Sequence, residues 1–537
     1  MKFIKLHLSI GLRVACCAAC CLVSSAQGLG VEPVEADVVL RGGTLIDGTG
    51  EPRRVGAIAL RGDRIVAVGQ FDIAGSPKLL DCTGLVVAPG FIDIHDHSDK
   101  RILEAETRGV VNALLQGCTT VVTGNCGAGP IDVGEYYSAI EQDGAGTNVA
   151  HLLGHGSLRE TVIGNVNRAA TAEEINQMRR IAEHAMQDGA WGMSTGLIYV
   201  PGSYANTDEL VAIAEVIGTY GGFYASHMRD ESSELLASID ELLEIGHRAN
   251  LPVHVSHFKA SGEENWGLIR QATRVIQQAR DQGQAVTADQ YPYTASSTSL
   301  AATLLPAATR SGGREELIKR LDHPEIGSRI REHVADSLRR KQEGAAIRIA
   351  RYSTRPDWIG RNLAEIAAVE KLTPTDLCLH IFREGEAQIV NFCMSEEDVR
   401  FAMQIPWVAT ASDGRTAIPG PDRPHPRYYG TFPRKIGYYS LREKVLPIEQ
   451  AIRSASGLPA DILGMSDRGY LKPGQFADVV VFDPQRFIDV ATYDDPHQYA
   501  EGVVALFVNG QLAVSQGKPT KTLAGRALRH TPRKAGE

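Results

Sequence analysis

Side chains of the kind that bind metals recur at the ends of apolar runs along this chain. His95-Asp96-His97, Cys126, His227 and His257 each close a run that reads as a β-strand, and the carboxylate of Asp413 closes another. Residues so far apart in sequence meet at one rim if their strands close a parallel β/α barrel, which carries its chemistry at the C-terminal strand ends. Packing alone gives no reason for ligand-type residues to recur there. The pattern predicts an α/β fold, a (β/α)8 TIM-like barrel, with these side chains converging at its mouth.

The spacing of elements agrees. Strand-like runs end at His97, at Thr123, near Gly154, near Thr195, at His227, at His257, near Tyr291 and at Asp413. Amphipathic stretches such as Ala172 to Gln187 and Asp230 to Ala249 separate them, the alternation expected of βαβ units. The gap between the last two strand ends is too long for one crossover helix. An insertion is therefore expected near residues 296–394, with charged helical stretches at Arg314 to Arg320 and Ile330 to Gln342; its place beside the rim makes it a candidate lid. Short strands and tight turns (Gly62-Asp63, Asn509-Gly510) mark both chain ends. They suggest one small β-sandwich assembled from residues 27–88 and 460–525, around a barrel at 89–459, with a flexible basic tail at 526–537.

His95 and His97 are two apart, so in an extended strand they point the same way. A lone His-x-His also describes two hydrogen-bonded structural histidines; the preceding turn and apolar strand, Pro89-Gly90-Phe91-Ile92-Asp93-Ile94, favour ligands. A buried cysteine is ordinarily a small hydrophobe. Cys126, however, sits in Gly124-Asn125-Cys126-Gly127, where flanking glycines leave its sulfur room, and a thiolate among imidazoles suits zinc. Alternation puts His257 and Lys259 on one face and His254 on the other, so His254 is read as structural, packed against a helix. His151 and His155 are read as rim or supporting groups. Asp413, in Ala411-Ser412-Asp413-Gly414, is costly to bury unpaired, whereas beside a cation it is satisfied and placed to accept a proton. An N-cap or turn aspartate is the competing reading of Ser-Asp-Gly. No lysine occurs between Lys100 and Lys259, so a carboxylated lysine on the fourth strand cannot bridge two metals here. Cys126 is the thiolate available in its place. Together these features point to a metal-dependent hydrolase.

Composition excludes other classes. The formal charge of −9 comes from no acidic block, and no basic stripe with interleaved aromatics appears, so nucleic acid is not an expected partner. The expected partner is a small-molecule substrate; the oligomeric state is left open. Lys2 and Lys5 precede a short apolar stretch, Val14 to Val23, and then Ser24-Ser25-Ala26, a secretory signal pattern over residues 1–26. Export to the periplasm or outside is expected; lipidation is disfavoured because neither Cys20 nor Cys21 follows a Leu-containing lipobox. No later segment has the length of a membrane span. The remaining cysteines (Cys82, Cys118, Cys126, Cys378 and Cys393) are odd in number and widely spaced, which is no disulfide framework.

With these motifs in view, the sequence resembles the N-acyl-D-amino-acid deacylases (D-aminoacylases) of the amidohydrolase superfamily. The likeness runs through Gly42-Gly43-Thr44-Leu45-Ile46-Asp47-Gly48, the His95/His97 strand, Gly124-Asn125-Cys126-Gly127, and Ser194-Thr195-Gly196-Leu197-Ile198-Tyr199. It continues in His227-Met228-Arg229-Asp230-Glu231, Ser256-His257-Phe258-Lys259, Tyr291-Pro292-Tyr293, Ser412-Asp413-Gly414 and His425-Pro426-Arg427. What this resemblance implies is a tightly held Zn2+ on Cys126, His227 and His257. His95 and His97, with Asp413 nearby, would form a second, weaker metal position. Asp413 would be the general acid/base, and Lys259, Arg427, Tyr199, Tyr291 and Ser297 would hold the substrate carboxylate and acyl group. Ser296 could stand in for Ser297. The implied reaction is amide hydrolysis of N-acyl-D-amino acids, releasing a carboxylate and a free D-amino acid. Competing readings are a dipeptidase for peptides with a C-terminal D-residue, a cyclic-amide hydrolase of the hydantoinase or dihydroorotase type, and a catalytically silent ligand-binding barrel.

Overall fold

The computed structural model of the chain describes residues 32–531; the expected signal segment lies outside them. Eight strand positions form the barrel: Phe91–Asp93, Cys118–Thr123, Asn148–His151 continued by Leu153–Gly154, Gly192–Gly196, Phe223–His227, Val253–Val255, Val286–Gln290 and Val408–Thr410. Neighbouring strands in this series pair in parallel. Closure is made by the chemistry-bearing loops themselves. Asp413 N donates to His95 O at 2.9 Å and His97 N to Gly414 O at 2.7 Å, joining the last strand to the first. Regular pairing of the first strand stops at Asp93, so both histidines lie just beyond it.

The strands are short, apolar and buried on both faces, as parallel strands under helices must be. Helices follow them on the outside, among them Ala172–Gln187, Thr207–Thr219 and Ile269–Asp281. The first begins at a capping box, in which Thr171 and Glu174 satisfy each other's backbone N–H groups. The helix expected from Asp230 begins instead at Leu235. Asp230 Oδ1 accepts from Ser232 N (2.7 Å) and Glu234 N (3.0 Å), and this aspartate turn satisfies the backbone without helix.

Strands from both chain ends form one nine-stranded sheet, in which Val86–Pro89 pairs antiparallel with Val479–Phe482. Asn509 and Gly510 both take positive φ (48° and 77°), the type I′ geometry that matches strand twist. Between the seventh and eighth barrel strands lies a separate unit: a three-stranded antiparallel sheet of Ala295–Ser299, Gln388–Phe392 and Ile347–Arg351 with helices including Gly313–Asp322 and Pro324–Arg339. It packs around its own apolar cluster, including Val334, Trp358, Leu377 and Ile389.

The tail departs from expectation in its first part. Leu528 N donates to Val149 O and His530 N to Gly189 O, while Trp191 Nε1 donates to Leu528 O. Residues 526–531 are thus bonded to the barrel's third and fourth strand region, because apolar Ala527 and Leu528 interrupt the basic run and pack inward. The five described cysteines outside the first 31 residues are all free. Among the described residues no helix is long and apolar enough to cross a membrane.

Candidate metal centre

Cys126, His257 and Asp413 share a backbone peculiarity that sequence could not reveal. Their φ values are +52°, +38° and +46°, in a region that costs a non-glycine residue roughly 1–3 kcal/mol. Such conformations persist only where surrounding bonds over-determine them. Here His257 N donates to Asp289 Oδ1 (2.8 Å), Asp413 N to His95 O (2.9 Å), and Gly127 N to Ser194 Oγ (2.9 Å). Each left-handed residue turns its side chain off the strand end and inward across the barrel mouth.

The result is convergence. Cys126 Sγ lies 3.3 Å from His95 Nε2, 3.6 Å from His257 Nε2 and 3.7 Å from His227 Nδ1. Tetrahedral zinc with Zn–S of about 2.3 Å and Zn–N of about 2.0–2.1 Å would separate sulfur from nitrogen by about 3.6 Å. The Cys126–His257 and Cys126–His227 separations match that edge, so these donors fit the ion in kind, and Cys126 and His257 also form a group with His95 whose donor atoms all lie within 4.8 Å of one another. A second group adjoins it: His97 Nε2 is 3.1 Å and His95 Nε2 3.7 Å from Asp413 Oδ1. His95 thus stands between the two groups.

Charge is arranged to suit a cation. Burial alone would push the Cys126 thiol up, but the charge on His95 and hydrogen bonds from His227, His257 and His95 hold it well below the ordinary thiol value. Burial likewise opposes ionisation of Asp413, and Arg427, then His95 and His97, reverse this and keep it a carboxylate. Arg427 Nη1 is 2.9 Å from Asp413 Oδ2.

Two carboxylates that sequence reasoning did not single out hold the imidazoles. Asp289 Oδ2 accepts from His95 Nδ1 (3.2 Å) and His254 Nε2 (2.9 Å) while Oδ1 takes the His257 N–H. His254, expected to be structural, is held between Thr287 Oγ1 (2.8 Å) and Asp289, through which it supports the centre. Glu231 Oε1 lies 2.8 Å from His257 Nδ1 and 2.7 Å from Lys259 Nζ, and its Oε2 is 3.7 Å from His227 Nε2. Burial disfavours its charge, yet Lys259 and both histidines keep its carboxyl far below the usual range. At His95 and His257 the bond at the far nitrogen fixes the tautomer and leaves the near nitrogen free for a metal, whereas His227 Nε2 is buried with Glu231 only at ion-pair distance. The available signals were the spacing of Glu231 four residues after His227 and the place of Asp289 near the seventh strand end.

The other expected residues divide. Tyr199, Lys259, Tyr291, Ser297 and Arg427 all line a cavity of about 640 Å³ that also opens on His97, Cys126, His227, His257 and Asp413. Tyr199 packs edge-on against His227 and shares a hydrogen bond with Thr298 Oγ1 (3.0 Å). Tyr291 OH is buried without a partner, and the Arg427 guanidinium lies 4.5 Å over its ring. Ser297 also lends Arg427 its backbone oxygen. Lys259 is already engaged, by Glu231 and by His257 O at 2.9 Å. His151 and His155 are not at the centre: His151 bonds Thr123 Oγ1 and Pro130 O, and His155 bonds Glu209. Residues of the insertion, including Ser337, Gln388 and Asn391, form another wall of the cavity.

Comparison with known proteins places this geometry. The amidohydrolase family pattern matches residues 78–514. The chain is 36% identical over 518 residues to D-aminoacylase of Alcaligenes xylosoxydans xylosoxydans, covering 92% of this chain and 98% of that protein. It is 34% identical to N-acyl-D-glutamate deacylase of the same organism, covering 93% and 98%. Among solved structures it is similar to N-acyl-D-glutamate deacylase of Bordetella bronchiseptica complexed with zinc and a phosphonate inhibitor. That match has a TM-score of 0.80 and 33% identity, and covers 92% of this chain and all of that one.

Proposed function

The chain belongs to the amidohydrolase family, in its D-aminoacylase branch, and from that premise we propose that it is a zinc-dependent hydrolase of N-acyl-D-amino acids. The products are a carboxylate and a free D-amino acid. One observation carries the reading: a thiolate, Cys126, stands within 3.7 Å of three imidazole nitrogens at the barrel mouth, in a chain with no lysine available there to bridge two metals.

Cys126, His227 and His257 would hold the tight zinc; His95, His97 and Asp413 would form the weaker position. Bound there, zinc supplies Lewis acidity, which polarises an amide carbonyl and makes water a better acid. Asp413 supplies the proton chemistry. Held ionised by Arg427 and His95, it is a base at rest: it takes a proton from the attacking water and returns it to the leaving amine nitrogen. Arg427 fixes that carboxylate's orientation, and Tyr199, Tyr291, Ser297 and Lys259 shape the surface on which the acyl-amino acid lies. Glu231 and Asp289 hold the metal-facing imidazoles.

A chirally resolved panel of N-acyl-amino acids, dipeptides and hydantoins, run on protein of measured metal content, tests this. N-acetyl-D-amino acids should be turned over and their L-enantiomers and hydantoins should not; turnover of L-substrates alone would overturn the stereochemical assignment. A dipeptidase for C-terminal D-residues is the second reading, favoured by a cavity larger than an acetyl group requires, and the dipeptide arm decides it. Replacing Glu231 by Gln should weaken zinc on the order of 10- to 100-fold, the usual effect of losing such a supporting carboxylate. Chelator competition reads this directly. Unchanged zinc release would remove Glu231 from that role.

A further inference from the structure

The cavity is lined by five lysine and arginine side chains, and they are not equivalent. Lys259 is 2.7 Å from Glu231, Arg427 is 2.9 Å from Asp413 and Arg340 is 4.0 Å from Glu264. Arg415 and Lys341 take part in no ion pair among the described residues. Lys341 follows the insertion helix Pro324–Arg339 and hides no donor from solvent. Arg415 Nε is buried without a hydrogen-bond acceptor among the described residues, as is Arg427 Nε, but Arg427 has a carboxylate beside it and Arg415 has none. An N–H of a charged group taken out of water and left unpaired is costly, and Arg415 carries one on a side chain that lines the reaction chamber with no counter-charge beside it.

The backbone around Arg415 is firmly fixed. Gly414 N donates to Ser412 Oγ (2.9 Å), Thr416 N to Ser98 Oγ (2.7 Å), and Asn112 Nδ2 to Arg415 O (2.9 Å). Its guanidinium carbon sits 5.5 Å over the ring of Tyr428, another lining residue. Arg415 is two residues from Asp413, so whatever it binds lies beside the proton-transfer group. The fields of Lys259 and Arg427 are largely cancelled by their own carboxylates, whereas that of Arg415 is not. A carboxylate entering this chamber meets its strongest uncompensated attraction there, and a guanidinium can hold it through two parallel hydrogen bonds.

We propose that Arg415 is a substrate-binding residue that receives a carboxylate of the acyl-amino acid. For the identity of that ligand the proposal rests on the deacylase reading above. The carboxylate is either the α-carboxylate or that of an acidic side chain, and one experiment separates them. KM and kcat are measured for N-acetyl-D-leucine and N-acetyl-D-glutamate with wild type, Arg415→Met and Arg415→Lys. Binding of D-leucine, D-leucinol and D-glutamate to the zinc-loaded proteins is measured by calorimetry alongside. In Arg415→Met, KM should rise on the order of 10- to 100-fold, the loss of a charge-assisted hydrogen bond, with kcat changed far less and partial recovery in Arg415→Lys.

An equal rise for both substrates, with D-leucine but not D-leucinol binding weakened, assigns the α-carboxylate. A rise confined to N-acetyl-D-glutamate, with D-glutamate binding weakened, assigns the side chain. Unchanged KM for both substrates with unchanged binding of both D-amino acids overturns the proposal, as does a fall in kcat alone. Failure of wild type to hydrolyse either substrate would refute the deacylase reading, while the binding data still decide the role of Arg415.

Discussion

Replacing Asp413 by Asn should lower kcat by about 10²- to 10⁴-fold, the usual contribution of a positioned proton-transfer group, and leave zinc in place. The amide is the same size and can still accept from His97 Nε2, which lies 3.1 Å from Asp413 Oδ1, so the local fold has little reason to change. What vanishes is basicity. An amide cannot take a proton from water at neutral pH, and the Arg427 guanidinium, 2.9 Å away, loses its counter-charge. The proposed tight zinc set does not include Asp413, so metal content measured by mass spectrometry should stay at the wild-type value. An Asp413→Asn enzyme with wild-type turnover would remove Asp413 from its role. Loss of zinc together with activity would move it into the metal shell instead.

Cys126→Ala should have its largest effect on the metal itself. The sulfur is the point from which His95, His227 and His257 are each within 3.7 Å, and it is the only one of these donors that brings a negative charge. Without it two imidazoles of the tight set remain, and zinc affinity should fall by more than about 100-fold, beyond what loss of a merely supporting partner costs. Holo wild type should melt well above its metal-stripped form, because a ligand present at about 1,000 times its Kd stabilises the folded state by about 4 kcal/mol. In Cys126→Ala, with affinity down at least about 100-fold, that stabilisation should shrink to about 1.4 kcal/mol or less at the same zinc concentration. Unchanged metal stoichiometry and an unchanged melting difference would exclude the thiolate as a ligand.

Some of this was written locally in the chain. The proposed metal-site residues are legible because each stands at or just past an apolar run: Cys126 after Cys118–Thr123, His227 at the end of Phe223–His227, Asp413 after Val408–Thr410. Strand periodicity and the polarity change at its end are properties of a few consecutive residues. The crossover helices and the hairpin at Asn509-Gly510 are legible for the same reason. The helix after His227 starts five residues later than apolar periodicity suggests, at Leu235 and not Asp230, because the Asp230 turn is a side-chain-to-backbone device that periodicity does not register.

The partners of those ligands are a different kind of information. Asp289 was one polar residue of the expected seventh strand until the sheet order set it beside the sixth strand, where one carboxylate serves His95, His254 and the His257 N–H. Glu231 became part of the centre only when two strand ends brought His227 and His257 to its two oxygens. Lys259 and Arg427 were expected to hold the substrate's carboxylate and acyl group, but folding gave each a carboxylate of the protein's own and left Arg415 without one. The left-handed backbone at Cys126, His257 and Asp413 was equally invisible, since it is imposed by bonds from neighbouring strands. Amino-acid order by itself determined the barrel class and its candidate ligands, because alternation and strand length are short-range. Only the tertiary structure decided which charges are matched, which nitrogen of each histidine faces inward and which cation stays unpaired, because those depend on distances across the barrel between residues hundreds of positions apart.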